Sequence, residues 1–181
     1  MELKKADGRD LRKMKRIYLY SFPKAERKPF GLMKVKARQG VMELLALKSG
    51  KKLLGMAVTV LYKDLVLLDY FALAGSCRGC GRGSEGLKLL KERYAEKRLV
   101  LEIELPSEAP LQHPERIRRK KFYLRNGMQE TGMHVMVFGV PMEVLTAGGA
   151  LTYEEYHTLY KNVIGTFFAK KVSLLQETVI K

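Results

Sequence analysis

Three closely spaced glycines between an apolar strand pattern and an amphipathic helix pattern constrain this fold more than any other feature. The run Arg78-Gly79-Cys80-Gly81-Arg82-Gly83 follows the apolar stretch Leu65–Leu73 and precedes Leu87, Leu90 and Tyr94, which have helical spacing. Glycine lets backbone N–H groups converge where a Cβ atom would obstruct them. The start of a helix directly afterwards adds a partial positive charge. The run therefore predicts a cradle for a pyrophosphate or a similar anion.

The pattern of strands around this run predicts a mixed α/β (α+β) fold. Strands are expected over 2–6, 41–48, 53–62, 65–73, 99–105, 129–138 and 142–145, and helices over 8–22, 30–38, 83–94 and 115–125. The strands before the run are joined by short turns, so they should form an antiparallel meander. The strand after the helix should return parallel to the strand before the run, through a right-handed crossover. We expect a mostly antiparallel sheet with a central parallel strand pair, flanked by helices.

The chain length predicts a main domain over 1–146 and a C-terminal helical extension over 147–181. A flexible joint, Ala147-Gly148-Gly149-Ala150, separates the two. Thr152 and Glu155 have the spacing of a capping box, which predicts a helix through about residue 168. The extension is expected to pack on the same domain or on a partner subunit, which leaves a homodimer open.

Composition favours a soluble cytoplasmic protein without a membrane partner. Hydrophobic residues make up 46% and charged residues 29% of the 181 residues. No apolar run approaches the roughly 18 residues that a membrane-spanning helix needs. Cys77 and Cys80 have C-x-x-C spacing, but the sequence offers neither a second ligand pair nor suitably spaced histidines. We therefore expect no metal site.

The net charge of +15 predicts attraction to polyanions but does not indicate which polyanion is bound. One local concentration of positive charge lies in the helix predicted over 115–125, and it consists of Arg116, Arg118, Arg119, Lys120, Lys121 and Arg125. On a helix these positions cover most of the circumference. They form either a solvated face or a surface that binds an anion.

Two segments resemble the GNAT superfamily of N-acyltransferases. Arg-x-x-Gly-x-Gly after a strand, here from Arg78 to Gly83, is similar to the acyl-CoA-binding loop of that family. Phe122-Tyr123-Leu124-Arg125-Asn126-Gly127-Met128 resembles its Tyr-x-x-x-Gly-Phe segment, with Met128 at the last place. One predicted strand separates the two segments, as it does in the family. The resemblance covers residues 3–145.

The resemblance implies an N-acetyltransferase with acetyl-CoA as the acyl donor, no metal, and the primary amine of a small molecule or peptide as the acceptor. It implies that the backbone of Phe71, Ala72 and Leu73 pairs with the pantetheine arm, and that the Leu73 N–H polarises the thioester carbonyl. Further implied cofactor-binding residues are Arg78, Gly79, Cys80, Gly81, Arg82, Gly83, Ser84, Arg119 and Asn126. The hydroxyl of Tyr123 would protonate the departing thiolate.

The general base has three candidates. Glu102 and Glu104 alternate with apolar residues on one strand, so they share one face of it. Neighbouring carboxylates raise each other's pKa, which suits a base near neutral pH. Asp69 is the rival, because it is a lone acid in an apolar strand. In this family an asparagine and an alanine commonly precede the tyrosine, where this chain has Arg116 and Arg119. The usual cofactor contacts of that helix are therefore not expected, and Arg119 could instead meet an acidic substrate group or a phosphate of coenzyme A.

The sequence is also compatible with two other function classes. Gly81-Arg82-Gly83-Ser84-Glu85-Gly86 also fits the G-x-G-x-x-G fingerprint of dinucleotide-binding oxidoreductases, with Glu102 near the position of a ribose-binding acid. That fingerprint normally opens a parallel sheet, whereas an antiparallel meander precedes the run here. The remaining alternative is a non-catalytic module of the same fold that senses coenzyme A or binds nucleic acid. We expect no nucleic-acid partner, because no aromatic residues interleave a basic stripe.

The segments that are expected to determine acceptor specificity are those where the resemblance is weakest, namely residues 23–38, residues 106–114 and the C-terminal segment.

Overall fold

The structure of this chain is a computed structural model that describes residues 1–105 and 114–177. The loop predicted over 106–114 falls, apart from Pro114, outside the described residues. Two compact units are present. The first combines Met1–Leu61 with Val66–Tyr94, and the second combines Tyr62–Leu65 with Ala95–Lys181. The division at 146/147 stays a prediction.

The first unit contains the meander that leads to the glycine run. Its elements are β1 (Glu2–Lys5), α1 (Gly8–Ser21), α2 (Phe30–Arg38), β2 (Met42–Ser49), β3 (Lys52–Tyr62), β4 (Leu65–Leu73) and α3 (Arg82–Arg93). The strands have the order β1-β2-β3-β4. β1 and β2 are antiparallel, as are β2 and β3.

Local sequence signals explain the first helix and its place in the core. The Asp7 carboxylate accepts hydrogen bonds from the backbone N–H groups of Arg9 and Asp10, at 2.7 and 2.8 Å, and so begins α1. Met14 and Tyr18 lie one turn apart and are buried at 0% and 1% exposure. The helix ends at Ser21, because Phe22 precedes Pro23 and a residue before a proline disfavours helical geometry.

The second unit begins with the strand that follows α3. Its elements are β5 (Arg98–Glu104), α4 (Pro114–Arg125), β6 (Gln129–Val137), β7 (Val140–Ala147), α5 (Tyr153–Leu159), a π-helical turn (Tyr160–Ile164), α6 (Thr166–Ala169) and β8 (Val172–Glu177). The strands have the order β5-β7-β6-β8. β5 pairs with β7, and β6 pairs with both β7 and β8, all antiparallel.

The C-terminal segment has more structure than the single helix predicted. The capping box is present, since the Glu155 N–H donates to Thr152 Oγ1 at 3.3 Å and the Thr152 N–H donates to the Glu155 carboxylate at 3.0 Å. The helical stretch then ends at Gly165, whose φ of 121° an L side chain rarely adopts. β8 was missed because its pairing with β6 is a tertiary contact without a local turn signal.

The fold class is the predicted one. Within the described residues, eight strands form a mixed, mostly antiparallel sheet that includes a parallel pair, and helices flank it. Across residues 1–105 and 114–177, no helix has both the length and the apolar character that crossing a membrane requires.

Candidate functional site

The glycine run forms the connection from β4 to α3, and two of its glycines have left-handed backbone conformations. Gly79 has a φ of +82° and Gly81 a φ of +72°, and a Cβ atom at either position would meet no atom within 4 Å. These glycines are therefore needed for their backbone conformation rather than for space. This conformation turns the chain out of β4 and directly into α3.

Helix α3 begins with its first turn open. Gly81 is the N-cap, and no side chain of the described residues caps that end. The first N–H groups of an α-helix have no acceptor within the helix, and the helix dipole places a partial positive charge there. The start of α3 can therefore receive an anionic group.

Close packing fixes this helix against the strands of the first unit. Gly86 is buried, and a Cβ atom there would lie 3.2 Å from Cζ of Phe71 and 3.3 Å from the methyl groups of Leu47. For a Cβ atom to fit, the Phe71 ring and the Leu47 methyl groups would have to shift by a few tenths of an ångström. The glycine thus suits the close packing of α3 on Phe71 and Leu47.

Two arginines and two cysteines border the loop. The exposed Arg78 donates from Nη2 to Ser21 Oγ at 3.2 Å, and Arg82 is half-buried at the helix start. Both thiols are free: Cys77 is fully buried and Cys80 is exposed. The two guanidinium groups add positive charge at the place where the backbone is open. Among the described residues, no group of three or more His, Cys, Asp or Glu side chains could hold a metal ion.

A cleft of about 210 Å3 lies beside the beginning of the loop. One wall is the C-terminal half of α1, and the other is the end of β4 with the first loop residue. Its lining residues are Arg16, Ile17, Tyr20, Ser21, Leu73, Ala74 and Gly75. The cleft thus opens onto Leu73, one of the predicted backbone positions.

Gly55 of β3 lets that part of β4 approach closely. A Cβ atom at Gly55 would lie 2.6 Å from the carbonyl oxygen of Ala72 and 2.7 Å from Cδ2 of Leu73. No larger residue fits without moving the backbone. Gly55 was not among the predicted site residues, although a glycine inside a strand pattern is a known sign of close backbone approach.

Asp69, on β4, is held by a lysine from the segment between α1 and α2. Lys28 Nζ lies 2.6 Å from Asp69 Oδ1, and the two side chains are 21% and 8% exposed. The other carboxylate oxygen, Oδ2, is buried and accepts no hydrogen bond from any described residue. Asp69 thus has one oxygen neutralised and one oxygen unused. No local sequence signal pointed to Lys28, because it is 41 residues away from Asp69.

Tyrosine hydroxyls fix the lysine segment on the first unit. The Lys28 N–H donates to Tyr70 Oη at 3.2 Å, and Tyr18 Oη donates to the Lys28 carbonyl oxygen at 2.9 Å. Tyr70 Oη in turn donates to the carbonyl oxygen of Glu26 at 2.7 Å. Burial, aided by the negative charge of Asp69, raises the pKa of Tyr70 well above its usual range, so its hydroxyl stays protonated.

Glu102 is bound by the C-terminal segment. The hydroxyls of Tyr156 and Tyr160 both donate to Glu102 Oε1 at 2.6 Å. Each tyrosine is 1% exposed. Burial, with the nearby charge of Glu102 adding to it, raises the pKa of Tyr156 well above its usual range. Two neutral donors therefore share one carboxylate oxygen, and the pattern on β5 alone could not reveal them.

Glu104 has different partners, which come from α4. Arg116 Nη2 lies 2.5 Å from its carboxylate, and Arg119 Nη1 lies 3.6 Å from it. Arg116 also donates to the Leu105 carbonyl oxygen at 3.4 Å. Glu102 and Glu104 share a strand face, as alternate residues of β5 must, but the structure gives them separate environments. Arg119 is 47% exposed, and a carboxylate of the chain itself is near it.

Tyr123 lies on α4 and is half-buried. Burial raises the pKa of Tyr123 to about 12, although the positive charge of Arg119 acts in the opposite direction. Its hydroxyl therefore stays protonated near neutral pH. Asn126 caps the end of this helix by donating from Nδ2 to the Phe122 carbonyl oxygen at 2.7 Å.

Part of the basic run on α4 is neutralised within the second unit. Lys120 Nζ lies 2.9 Å from the Glu143 carboxylate and also pairs with Glu130. Glu143 is 2% exposed, and its burial raises its pKa, which the charge of Lys120 opposes. Lys120 and Arg116 thus hold α4 to the strands rather than forming part of a free basic face.

Comparisons with known proteins identify the fold. Neither a family profile nor a curated protein sequence matches this chain. Among solved structures, a Bacteroides thetaiotaomicron protein described as an acetyltransferase of the GNAT family matches with a TM-score of 0.76 and 21% identity, over 91% of this chain and 99% of that chain. This chain has the GNAT fold.

Further GNAT structures match over most of their length. An aminoglycoside 6'-N-acetyltransferase complexed with coenzyme A has a TM-score of 0.63 and 13% identity, over 81% of this chain and 96% of its own. The ribosomal-protein-S18-alanine N-acetyltransferase from Escherichia coli has a TM-score of 0.61 and 16% identity, over 83% and 98%. The names of these GNAT neighbours refer to unlike acceptors, so the shared fold does not select the acceptor.

Proposed function

We propose that this chain is an acyl-CoA-dependent N-acetyltransferase that transfers an acetyl group to the primary amine of a small molecule or peptide. One observation carries the proposal. Gly79 and Gly81, which both have positive φ, connect β4 to the start of α3, and no side chain of the described residues caps that helix start. Bound acetyl-CoA would supply an activated thioester and an anionic pyrophosphate. The loop offers backbone donors, a helix dipole and two guanidinium groups to such an anion.

In this proposal the loop from Arg78 to Ser84 binds the pyrophosphate. Gly79 and Gly81 give the backbone its cradle, and the N–H groups of Gly83 and Ser84 belong to the open first turn. Arg78 and Arg82 add charge at the rim. Fixing the anionic part of the donor would reduce the freedom of the thioester and so promote attack.

The backbone of Phe71, Ala72 and Leu73 would orient the rest of the donor. The cleft that reaches Leu73 and the tight approach at Gly55 support a defined path along the end of β4. The Leu73 N–H would donate to the thioester oxygen as negative charge develops there.

Asp69 is the base that we favour. Its Oδ1 is held by Lys28, while its buried Oδ2 has no hydrogen-bond donor among the described residues and can take a proton from the acceptor amine. Glu102 and Glu104 stay alternatives, but the first is engaged by two tyrosines and the second by two arginines. Tyr123, with its pKa near 12, would protonate the departing thiolate.

A thiol-release screen tests the proposed reaction. Purified protein is incubated with acetyl-CoA and, separately, with polyamines, aminoglycosides, amino acids and peptides that have a free N-terminus. Release of the coenzyme A thiol that depends on one added amine, together with the acetylated amine as product, is the expected result. If no amine in these classes raises thiol release above the rate of acetyl-CoA hydrolysis, the proposed activity is wrong.

A further inference from the structure

Helix α1 has a row of exposed cations on one side, which we call the basic stripe. Its members are Arg9, Arg12, Lys13 and Arg16, and all four are exposed. At about 100° per residue, these positions fall within about 100° of the helix circumference, opposite the buried face of α1. The four positive charges therefore act on one region of the surface of the first unit.

The stripe forms no ion pair with any described residue, whereas other cations of the first unit do. The only acid within α1, Asp10, is buried, and its Oδ2 lies 3.0 Å from Lys48 Nζ of β2. The Asp7 carboxylate accepts hydrogen bonds from backbone N–H groups at the helix start rather than from a side chain of the stripe. The positive charge of the stripe is thus available to an anionic partner.

The spacing of these cations is unfavourable for the helix itself. Arg9 and Lys13 are four residues apart, as are Arg12 and Arg16, and like charges at this spacing destabilise a helix. Arg9 also lies in the first turn, where the helix dipole favours an acid. A bound polyanion would offset this repulsion. The stripe is therefore better suited to binding an anionic partner than to stabilising α1.

The stripe leads into the cleft at the end of β4. Of the described residues that line this cleft, Arg16 is the only charged one, and it is also the last cation of the stripe. Leu73, whose N–H would polarise the thioester in the proposed reaction, lines the same cleft. From Arg9 to Arg16 the stripe is about 10 Å long, which is the length of about three residues of extended peptide.

We propose that the acceptor is an acidic peptide or protein segment, whose carboxylates bind the basic stripe while its primary amine reaches the end of β4. This inference rests on the proposed acetyltransferase function and selects among its acceptors. Carboxylates form charge-assisted hydrogen bonds with guanidinium groups, two of them where the geometry is bidentate. Polyamines and aminoglycosides are polycations, so the stripe would repel them. A nucleic acid would match the charge but has no aliphatic primary amine to accept the acetyl group.

Peptides of one length that differ only in charge test the inference. Each has a free N-terminal serine and no lysine, followed by four glutamates, four glutamines or four arginines. We expect kcat/KM for the glutamate peptide to exceed that for the glutamine peptide by about tenfold or more, with the arginine peptide the poorest acceptor. This preference should decrease as salt is added, because screening weakens exposed charge interactions. Equal kcat/KM values for the three peptides, or a preference for the arginine peptide, would overturn the inference.

Lys13 and Lys15 provide a matched pair of variants on the same helix. Both are exposed, but Lys15 lies about 160° around the helix from Lys13 and outside the stripe. Lys13→Glu should raise KM for the glutamate peptide by about fivefold or more at unchanged kcat, whereas Lys15→Glu should resemble the wild type. Equal effects of the two variants would mean that only net charge matters, and would overturn the stripe as a binding site. Weaker acetyl-CoA binding in Lys13→Glu, with peptide KM unchanged, would assign the stripe to the donor and overturn the inference too.

Binding without acetyl-CoA separates this inference from the proposed reaction. Fluorescence anisotropy is measured with the glutamate and glutamine peptides, each labelled at its C-terminus. Tighter binding of the glutamate peptide, weakened by Lys13→Glu, is expected. If that binding is found but no peptide or other amine is acetylated, the site for an acidic peptide stands and the acetyltransferase proposal is wrong. If a neutral or cationic amine is acetylated in preference, the acetyltransferase proposal stands and the acidic acceptor is wrong.

Discussion

At the scale of single residues, the central feature of the first unit is the ion pair between Asp69 and Lys28. Asp69 would be costly to bury alone, and the ammonium of Lys28 at 2.6 Å offsets that cost at one oxygen. The sequence showed a lone acid in an apolar strand but not its partner. The pairing depends on the fold bringing residues 28 and 69 together, which no local pattern encodes.

Replacing this carboxylate tests its role as the base. In Asp69→Asn the group that accepts the amine proton is lost, so kcat should fall by about 100-fold or more and the acidic limb of the pH–rate profile should disappear. Glu102→Gln is the matched control and should retain that limb. The measurement is kcat/KM against pH for one acetylated amine. Loss of the limb in Glu102→Gln, with its retention in Asp69→Asn, would transfer the role to Glu102.

Tyr123→Phe tests the proposed acid. The hydroxyl, whose pKa is near 12, acts mainly as the thiolate leaves, so its loss should affect the transition state more than donor binding. Because thiolates are fair leaving groups, kcat should fall by about 100-fold, the low end for acid catalysis, with little change in acetyl-CoA affinity. Steady-state kinetics and calorimetry give the two quantities. A kcat close to that of the wild type would reduce Tyr123 to a packing residue.

At the scale of elements, an acid on β2 ties the end of α3 to the sheet of the first unit. Glu43 accepts from Arg93 Nε and Nη2, both at 3.0 Å, and from Tyr94 Oη at 2.6 Å. Lys5 Nζ lies 2.9 Å away. Burial alone would raise the pKa of Glu43, but these hydrogen bonds outweigh it and lower the pKa from 4.5 to about 2.

This lowered pKa makes a stability prediction with a definite sign. The ionised Glu43 stabilises the fold above pH 4.5, and that contribution is lost as the pH falls from 4.5 towards 2. Glu43→Gln should therefore lower the free energy of unfolding by about 2 kcal/mol at pH 7 and by progressively less below pH 4.5. Urea unfolding at several pH values measures it. Glu92→Gln, whose exposed pair with Lys88 spans 3.7 Å, is the control and should change little. A pH-independent loss in Glu43→Gln would contradict the account.

At the scale of the whole molecule, sequence reasoning succeeded where the physical cause is local. The glycine-rich connection from β4 to α3 depends on local backbone angles, and the capping box at Thr152 is a short-range hydrogen-bond pattern, so both could be predicted from the sequence. β8, the break at Gly165 and the partners of the candidate acids depend on tertiary pairing. For the same reason the three candidate bases could be named in advance but not ranked.

The C-terminal segment is part of the second unit. A matched pair of leucines tests how much the packing of this segment contributes to the free energy of unfolding. Leu159 is 1% exposed and Leu175 is 48% exposed. Leu159→Ala should lower the free energy of unfolding by about 2 to 4 kcal/mol, because it leaves a cavity, while Leu175→Ala should change it by less than about 0.5 kcal/mol. Chemical denaturation of both variants measures the difference. Equal, small effects would show that the segment contributes little to the folded unit.

Acetyl-CoA binding to two glycine variants tests the central claim most directly. Gly81 and Gly40 are both exposed, have φ values of +72° and +76°, and would place a Cβ atom in open space, but only Gly81 lies in the loop. By titration calorimetry, Gly81→Asp should weaken acetyl-CoA binding by at least about tenfold, because its carboxylate repels the pyrophosphate, whereas Gly40→Asp should bind as the wild type does. Equal affinities for acetyl-CoA in all three proteins would contradict the assignment of the loop.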